Sequence, residues 1–332
     1  AVNTNLVDIV LPVGEMPEKI VAIGKTAQRL ELPKEAAEVE EPAAPEPAAG
    51  SDDTLREILT FLKIRTGHDF HNYKRPTLLR RLARRLQVHE LTDLPSYLTL
   101  LREKPGETQA LLNDLLISVT NFFRDREAFS ALELEVIPRL FVGKTASDTV
   151  RVWSCGCATG EEAYSLAVLL SEYAAKLSDP PKLQVFASDI SDEAIRTARE
   201  GRYDETVTAD VSPERLSRYF TKDGDLYRIK KEIRDLVLFA PHNVLRDPPF
   251  SKLDLITCRN FLIYLNRNTQ EQILEIFHFA LRGHGYLFLG SSETAENVSA
   301  LYSVLDKKHR LYQYRPAPTS YAALPVMPTP GK

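Results

Sequence analysis

Two cysteines, two glycines and two glutamates stand close together in the stretch WSCGCATGEEAYS, residues 153–165. A zinc-type site needs four ligands, or three and an open position. Beyond Cys155 and Cys157 the sequence offers only Cys258 and scattered histidines. We therefore predict no metal site here, and we expect the cysteines to be small buried thiols that pack beside the end of a strand.

The two glycines, Gly156 and Gly160, lie where an apolar strand-like run gives way to a helical pattern. Glycine adopts backbone angles that other residues avoid, and it lets a ligand approach the main chain. The helix that follows presents N–H groups with no partner inside the helix. The loop is not a G-x-G-x-x-G dinucleotide fingerprint. This stretch alone favours a ligand loop and a plain structural turn equally.

Polar residues follow three further apolar runs and strengthen the ligand interpretation. Asp189 follows the apolar run at the start of VFASDIS (185–191), Asn243 follows LVLFAPH, and Arg259 and Asn260 follow LDLITC. Ligands of open α/β sheets bind outside the carboxyl ends of the strands, where an acid suits the two hydroxyls of a ribose. The alternative for Asp189 is an N-cap, but Ser191 can cap the next helix itself.

The loop carries acids where a phosphate-binding loop would carry basic residues. Glu161 and Glu162 suit a helix N-terminus, and they also suit a cationic ligand. S-adenosyl-L-methionine is a sulfonium cation that has a ribose and no phosphate. These residues therefore predict a methyltransferase that uses S-adenosyl-L-methionine and releases S-adenosyl-L-homocysteine.

The elements around these residues predict an α/β fold. From Thr149 onward, apolar runs of strand length alternate with helical stretches, which indicates a mostly parallel sheet covered on both faces. Residues 51–117 show helical periodicity and no convincing strand, and we predict a small all-α N-terminal domain there. Residues 31–50, rich in Ala, Pro and Glu, and residues 316–332, rich in Pro, are expected to be a disordered linker and tail.

Composition excludes several classes of function. The formal net charge of −4 argues against a general nucleic-acid partner, and no apolar run is long enough to insert directly into a membrane. Three cysteines are too few for a disulfide framework, which favours a cytoplasmic location. The sequence lacks an initiator Met, and we expect it to be a piece of a longer chain.

One helical stretch is strongly basic. Residues 63–86 contain eight Lys or Arg and one acid, and Arg80, Arg81, Arg84 and Arg85 share an arc of about 140° on a helical wheel. Like charges four residues apart cost helix stability, and a plain solvated face more often mixes signs. We therefore favour an acidic docking partner for these four arginines over a solvated face.

The sequence resembles the chemotaxis-receptor glutamate O-methyltransferases, the CheR family, over about residues 52–315. The motifs that carry the resemblance are SVTNFFRD (118–125), WSCGCATGEEAYS (153–165), VFASDIS (185–191), HNVLRDPPF (242–250) and DLITCRNFLIYLN (254–266). The resemblance implies a Rossmann-like methyltransferase domain over 118–315, with an antiparallel β-subdomain inserted at about 203–237. It also implies adaptation in chemotaxis-like signalling, and a methyl-accepting receptor whose acidic methylation helices meet the arginine surface.

The resemblance also implies site residues. Tyr264 matches a tyrosine near the transferred methyl group, and Arg124, Arg259 or Tyr264 would orient the receptor carboxylate. Ser118 stands where the family often has Asn, which shortens that polar group. The implied cofactor contacts are Ser118, Thr120, Arg124, Glu161, Glu162, Asp189, Asn243, Val244, Arg259 and Asn260, to which our reading of the loop adds Gly156.

Residues 1–30 resemble the C-terminus of a second family, the CheB receptor methylesterases. Fusions of esterase, linker and methyltransferase occur, so we expect this chain to belong to one, with further signalling domains. The esterase's catalytic residues would lie upstream, and we predict no esterase activity. The short turn in YFTKDGDLYRI favours an enzyme that does not depend on a receptor's C-terminal pentapeptide.

Three rival functions stay open at this point. The first is a methyltransferase for another acidic protein or a small carboxylate. The second is a signalling module that binds the cofactor without turnover. A nucleic-acid methyltransferase is the third; the basic helix permits it, but the acidic total charge disfavours it.

Overall fold

The computed structural model describes residues 11–29 and 51–316. The predicted linker at 31–50 and the tail from 317 lie outside the described residues, and so do the first ten residues of the segment 1–30 that resembles the methylesterases. The chain divides into two compact units, Ala1–Ile117 and Ser118–Lys332.

The first unit is helical throughout its described part, which confirms the predicted all-α domain. Its core is built from leucines and from aromatic rings such as Phe70 and Tyr97, all buried. Asp93 caps the fourth helix by accepting a hydrogen bond from the main-chain N–H of Ser96. The helices are α1 Met16–Arg29, α2 Ser51–Thr66, α3 Arg75–Val88, α4 Leu94–Glu103 and α5 Pro105–Leu115, and the 3-10 turn Val13–Glu15 precedes them.

Arg85 does not lie on an exposed basic face, and that prediction is wrong. Its side chain is only 7% exposed, and its Nε and Nη2 both donate to the Glu107 carboxylate at 2.8 Å. The hydroxyl of Tyr97 donates to the same carboxylate at 2.6 Å. Arg80 remains exposed, while Arg81 and Arg84 are partly exposed. A helical wheel places Arg85 at the edge of the arginine arc, and the buried acid from α5 draws it inward.

The second unit is built around a seven-stranded sheet. Its strands are β1 Thr149–Cys155, β2 Lys182–Asp189, β6 Val237–Pro241, β7 Leu253–Cys258, β8 Leu281–Leu289, β9 Tyr302–Asp306 and β10 Leu311–Tyr314. Their order is β6-β2-β1-β7-β8-β10-β9, with five parallel strands followed by two antiparallel ones, so the predicted mostly parallel α/β fold is confirmed. The strand order reverses between β1 and β7, and ligands of open α/β sheets bind at such a switch point.

Helices cover both faces of this sheet and fix its strands in place. On one face, the helix Glu161–Ala174 carries apolar residues that join buried strand residues in one core; on the other, Phe277 of the helix Arg267–Ala280 packs against Trp153. The helices are α6 Arg126–Ala131, α7 Ile137–Leu140, α8 Glu161–Ala174, α9 Asp192–Glu200, α10 Val207–Asp210, α11 Pro213–Tyr219, α12 Lys231–Arg234 and α13 Arg267–Ala280. A π-helical stretch, Leu132–Val136, joins α6 to α7. Short 3-10 turns lie at Leu262–Tyr264 and Glu296–Val298.

A second, three-stranded antiparallel sheet is inserted between β2 and β6, as the resemblance implied. It has the order β3-β5-β4, from β3 Arg202–Tyr203, β4 Phe220–Asp223 and β5 Leu226–Ile229. Asp223 pairs with Leu226, so the two-residue turn is Gly224–Asp225 rather than the expected Asp-Gly. Gly224 has φ +64°, and glycine suits that position because it has no Cβ to clash. Among the described helices, none combines the length and the apolar character that crossing a bilayer requires.

Candidate active site

The predicted strand-end residues meet at one edge of the large sheet. Cys155 at the end of β1 is in register with Ser188 of β2, and Asp189 is in register with Pro241 at the end of β6. The main-chain N–H of Gly156 donates to the Ser188 carbonyl at 2.8 Å. Gly156, Asp189, Asn243 and Asn260 therefore follow four strands whose carboxyl ends share this edge.

Both glycines of the first loop have left-handed backbones. Gly156 has φ +72° and Gly160 has φ +97°, a region that favours glycine. A Cβ on Gly160 would also lie 2.9 Å from the Cβ of Ala198, so the turn into α8 requires glycine. A Cβ on Gly156 would contact the Phe261 side chain at 3.4 Å, because the loop after β7 packs against this glycine.

Asp189 holds the glycine loop and the next turn together. Its Oδ2 accepts from the Ala158 N–H and its Oδ1 from the Ser191 N–H, both at 2.9 Å. Ser191 caps α9, as expected, by accepting from the Ala194 N–H. Burial raises the pKa of Asp189, although these N–H donors oppose the shift. Asp189 thus bonds the backbone with both oxygens and is not the cap of α9.

The two glutamates at the start of α8 have different roles. Glu162 accepts from the hydroxyls of Ser154 at 2.9 Å and Thr257 at 2.6 Å, so it ties β1 to β7. Glu161 accepts hydrogen bonds from the Thr159 hydroxyl, and within residues 11–29 and 51–316 no cation pairs with it. Burial raises the pKa of Glu161, so its ionised form favours a cationic partner.

Arg259 is buried, which corrects its assignment as a residue that orients an incoming carboxylate. Its side chain is 1% exposed, and its guanidinium lies over the rings of Phe129 and Phe288. Its Nη2 donates to Asp125 at 2.7 Å, and its Nη1 lies 3.6 Å from Glu162. The guanidinium joins two loops of the site and is not presented to a protein substrate in this structure.

The stretch SVTNFFRD reaches the same edge from the start of the second unit. The Phe123 N–H donates to the Ser165 hydroxyl of α8 at 3.0 Å. The Arg124 Nη1 donates to the Val119 carbonyl at 2.9 Å, and Arg124 is partly exposed. Ser118 is exposed and Thr120 is partly buried. Arg124 is therefore near the edge with a guanidinium that still reaches solvent.

The loop after β6 is fixed by its own turn. The side-chain oxygen of Asn243 accepts from the Leu245 N–H at 3.0 Å, and the Asn243 N–H donates to Asp247 at 2.7 Å. The Asn243 side chain is partly buried, and Val244 is buried. This arrangement presents an amide next to an apolar side chain, which suits a flat heterocycle such as adenine.

The loop after β7 places Asn260 and Tyr264. Asn260 has φ +59°, an uncommon conformation for a residue other than glycine. Its Oδ1 is buried and has no hydrogen-bond partner in the described part of the protein. Tyr264 ends a short 3-10 turn and is partly buried. The structure thus brings both predicted residues to the edge, and it leaves an acceptor there for a donor on a ligand.

Several residues that hold the site were not predicted. Asp125, the last residue of the motif SVTNFFRD, accepts a hydrogen bond from Arg259. The hydroxyl of Tyr203, from the inserted sheet, donates to the Thr159 carbonyl at 2.9 Å. Glu293 accepts main-chain N–H groups from the loop after β7. The signal for Glu293 was its position just after the apolar run GYLFLG, at another strand end of the same edge.

The three cysteines are all buried free thiols. Cys155 and Cys258 end the neighbouring strands β1 and β7, and burial raises the pKa of Cys157 well above its usual range. In the described ranges 11–29 and 51–316, no group of His, Cys, Asp or Glu side chains could hold a metal ion. The thiols act as small buried packing residues at the strand ends and in the loop.

Comparison with protein families finds two matches in this chain. Residues 118–311 match the CheR methyltransferase, SAM binding domain, and residues 53–116 match the CheR methyltransferase, all-alpha domain. The cofactor of the second unit is therefore S-adenosyl-L-methionine.

Curated relatives agree with this match. A chemotaxis protein methyltransferase of Escherichia coli K12 is 35% identical over 76% of this chain and 88% of its own length. A putative methyltransferase, Cher3, of Pseudomonas putida is 29% identical over 79% of this chain and 97% of its own length. A 104.1 kDa protein of Rhodobacter capsulatus is 43% identical over 79% of this chain, which spans only 27% of that relative.

Proposed function

Because the chain belongs to the CheR methyltransferase family, we propose that it methylates glutamate side chains of chemotaxis receptors with S-adenosyl-L-methionine. The product on the receptor is a γ-carboxylate methyl ester, and S-adenosyl-L-homocysteine is released. The observation that carries the proposal is the convergence of Glu161, Asp189, Asn243 and Asn260 on one sheet edge, at a loop that carries acids in place of phosphate-binding residues.

The residues of this edge fit the cofactor. Glu161 offers a carboxylate without a cationic partner in the described chain, which suits an ammonium or sulfonium charge. Asp189 has lone pairs left for the hydroxyls of a ribose, and Asn243 beside Val244 suits an adenine. The buried, unpartnered Oδ1 of Asn260 supplies a further acceptor for an N–H donor. We assign the binding of the cofactor to these residues.

We assign catalysis to the positioning of the receptor carboxylate against the methyl group of the cofactor. When bound, the cofactor supplies an electrophilic methyl group on a positively charged sulfur. The receptor glutamate is already ionised at neutral pH, so the protein needs no strong general base. Holding the attacking oxygen in line with the methyl carbon contributes up to about 7–11 kcal/mol in favourable cases. We assign the role of fixing that alignment to the loops at the carboxyl ends of the strands.

Two residues remain candidates to orient the receptor carboxylate. Arg124 keeps part of its guanidinium in solvent, and Tyr264 carries a hydroxyl at the end of the turn after β7. Either group can donate a hydrogen bond to a carboxylate, and a charged donor gives the stronger bond. We assign Arg259 to positioning instead, through its contacts with Asp125 and Glu162.

The proposal is tested with receptor cytoplasmic fragments and radiolabelled cofactor. We expect labelled methyl groups on the receptor that alkali releases as methanol, because an ester is base-labile and an N-methyl group is not. Receptor fragments in which the methylated glutamates are replaced by alanine serve as the control. Cofactor binding without transfer to any receptor fragment would favour the signalling-module alternative.

We also propose that the receptor docks on the arginines of α3 that remain accessible, Arg80, Arg81 and Arg84. Arg80→Glu together with Arg81→Glu should lower receptor methylation on the order of tenfold by repelling acidic helices, while calorimetric affinity for S-adenosyl-L-homocysteine stays at its wild-type value. Arg56→Glu, an exposed arginine on α2, is the matched control. Equal methylation rates in the double variant and the wild type would rule out this surface.

We make two further proposals from the resemblance of residues 1–30 to methylesterases, and one on location from the small number of cysteines. That segment would be the end of an esterase whose catalytic residues lie elsewhere, so this chain alone should hydrolyse no receptor methyl ester. The parent protein would join an esterase and this methyltransferase with further signalling domains. Its location would be the cytoplasm, where the methylation helices of receptors are accessible.

A further inference from the structure

Glu293 is a buried carboxylate at the sheet edge that forms the candidate active site, and it is not among the residues assigned to bind the cofactor or the receptor carboxylate. It lies four residues beyond β8 and is 4% exposed. Its Oε2 accepts from the N–H of Gly290 at 2.7 Å and of Asn260 at 3.0 Å. Its Oε1 accepts from the N–H of Ile263 at 3.2 Å. One side chain therefore binds the start and the middle of the turn that carries Asn260 and Tyr264.

This carboxylate supports a left-handed turn. Asn260 has φ +59°, a conformation that asparagine adopts more readily than most residues other than glycine, and Glu293 bonds its main-chain N–H there. Gly290 completes the arrangement, because a Cβ there would lie 2.7 Å from Oε2 of Glu293 and 2.8 Å from the main-chain nitrogen of Asn260. Burial raises the pKa of Glu293, while the surrounding N–H groups favour its ionised form. Glu293 and Gly290 together form what we call the turn clamp.

We propose that Glu293 is a positioning residue for methyl transfer: through the turn clamp it aims the Asn260 amide at the cofactor and sets Tyr264 beside the reacting groups. This inference rests on the proposed function. Two features separate it from ordinary packing. The clamp bonds the backbone of the reactive loop rather than another scaffold element, and the Asn260 Oδ1 it positions is buried without a partner in the described residues.

The test compares Glu293→Gln with Asp254→Asn. Gln keeps the shape of Glu293 but turns an N–H donor group toward the N–H groups that the carboxylate accepted. Asp254 is a suitable control because it is also buried and accepts a main-chain N–H, that of Arg151 at 2.8 Å, yet it lies near the opposite end of β7. Gly290→Ala is an independent variant, since its Cβ would open the clamp.

We expect Glu293→Gln and Gly290→Ala to lower kcat on the order of 10- to 100-fold with receptor KM unchanged, and to weaken S-adenosyl-L-homocysteine binding about tenfold, since small misplacements near the reacting atoms cost that much. Asp254→Asn should keep kcat and affinity even where its melting temperature falls equally. A folded Glu293→Gln with wild-type kcat and affinity overturns the proposal. So does an equal loss of kcat in Asp254→Asn.

Failure of the clamp and failure of the proposed function are distinguishable. If the wild type binds cofactor but methylates no receptor, the proposed function fails, and the affinities of the variants then decide the role of Glu293. Wild-type affinity in both clamp variants would refute it. If both clamp variants unfold while Asp254→Asn folds, the clamp is a folding element and the positioning role is overturned.

Discussion

Asp189 gives the sharpest test of the cofactor assignment. Its carboxylate already accepts the N–H groups of Ala158 and Ser191, one on each oxygen, at 2.9 Å. Each carboxylate oxygen can accept a second hydrogen bond, so both remain able to accept from a ribose hydroxyl. Asp189→Asn keeps the size of the side chain, removes its charge and replaces one acceptor oxygen with an NH2 group.

The expected loss of cofactor affinity in Asp189→Asn follows from the hydrogen bonds to the ribose that the substitution changes. A hydrogen bond to a charged group contributes about 1.5–3 kcal/mol, and the substitution removes one outright and leaves the other neutral. We therefore expect cofactor affinity to fall on the order of 10- to 100-fold. The NH2 group would also face the N–H of Ala158 or Ser191, so a lower melting temperature is expected as well.

Calorimetric titration of S-adenosyl-L-methionine and S-adenosyl-L-homocysteine into Asp189→Asn measures this loss. Asp192→Asn is the matched control, because it removes an exposed acid three residues away in the first turn of α9 and should leave affinity unchanged. Circular dichroism at the titration temperature shows whether each variant is folded. A folded Asp189→Asn that binds both ligands as the wild type does would refute the ribose assignment.

Two further predictions concern charge. Burial raises the pKa of Glu161, so its carboxylate becomes protonated as the pH falls through that raised value. The affinity for the cofactor should therefore fall as the solution becomes acidic. Calorimetric titrations at several pH values should show that Glu161→Gln binds the cofactor more weakly and that its affinity depends less on pH. A profile as steep as that of the wild type would assign the dependence to another group. Arg85→Ala removes the arginine that makes two hydrogen bonds to the buried Glu107 carboxylate, and it should lower the free energy of unfolding by about 3–5 kcal/mol in urea titrations. Arg80→Ala should change the free energy of unfolding by less than about 0.5 kcal/mol, and similar losses in the two variants would show that Arg85 is not a buried partner.

Local sequence patterns predicted which residues gather at the active edge. Each of Asp189, Asn243 and Asn260 follows an apolar run of strand length, and parallel strands bring their carboxyl ends to one edge. The glycine turn was predictable for the same reason, since Gly160 is followed at once by the helical pattern of α8. These features depend on neighbours along the chain, which the sequence displays directly.

Whether a charged side chain is exposed or buried in an ion pair depended on partners far away in sequence. Arg85 looked like a member of an exposed arginine face, but Glu107, 22 residues on, binds it inside the helical unit. Arg259 looked like a group for the substrate, but it pairs with Asp125, 134 residues earlier. Periodicity predicts the face of a helix or strand on which a side chain lies. It does not predict which charged residue from a distant segment packs against that face.

By itself the sequence determined the α/β class, the strand ends and the acidic first turn of α8, because hydrophobic period and turn chemistry are local properties of a chain. Only the tertiary structure decided that Glu293 bonds the turn at Asn260 and that the Arg259 guanidinium is buried over the rings of Phe129 and Phe288. Those outcomes follow from the packing of segments distant in the chain, where burial makes each unpaired charge costly and so selects the partners that are close in space.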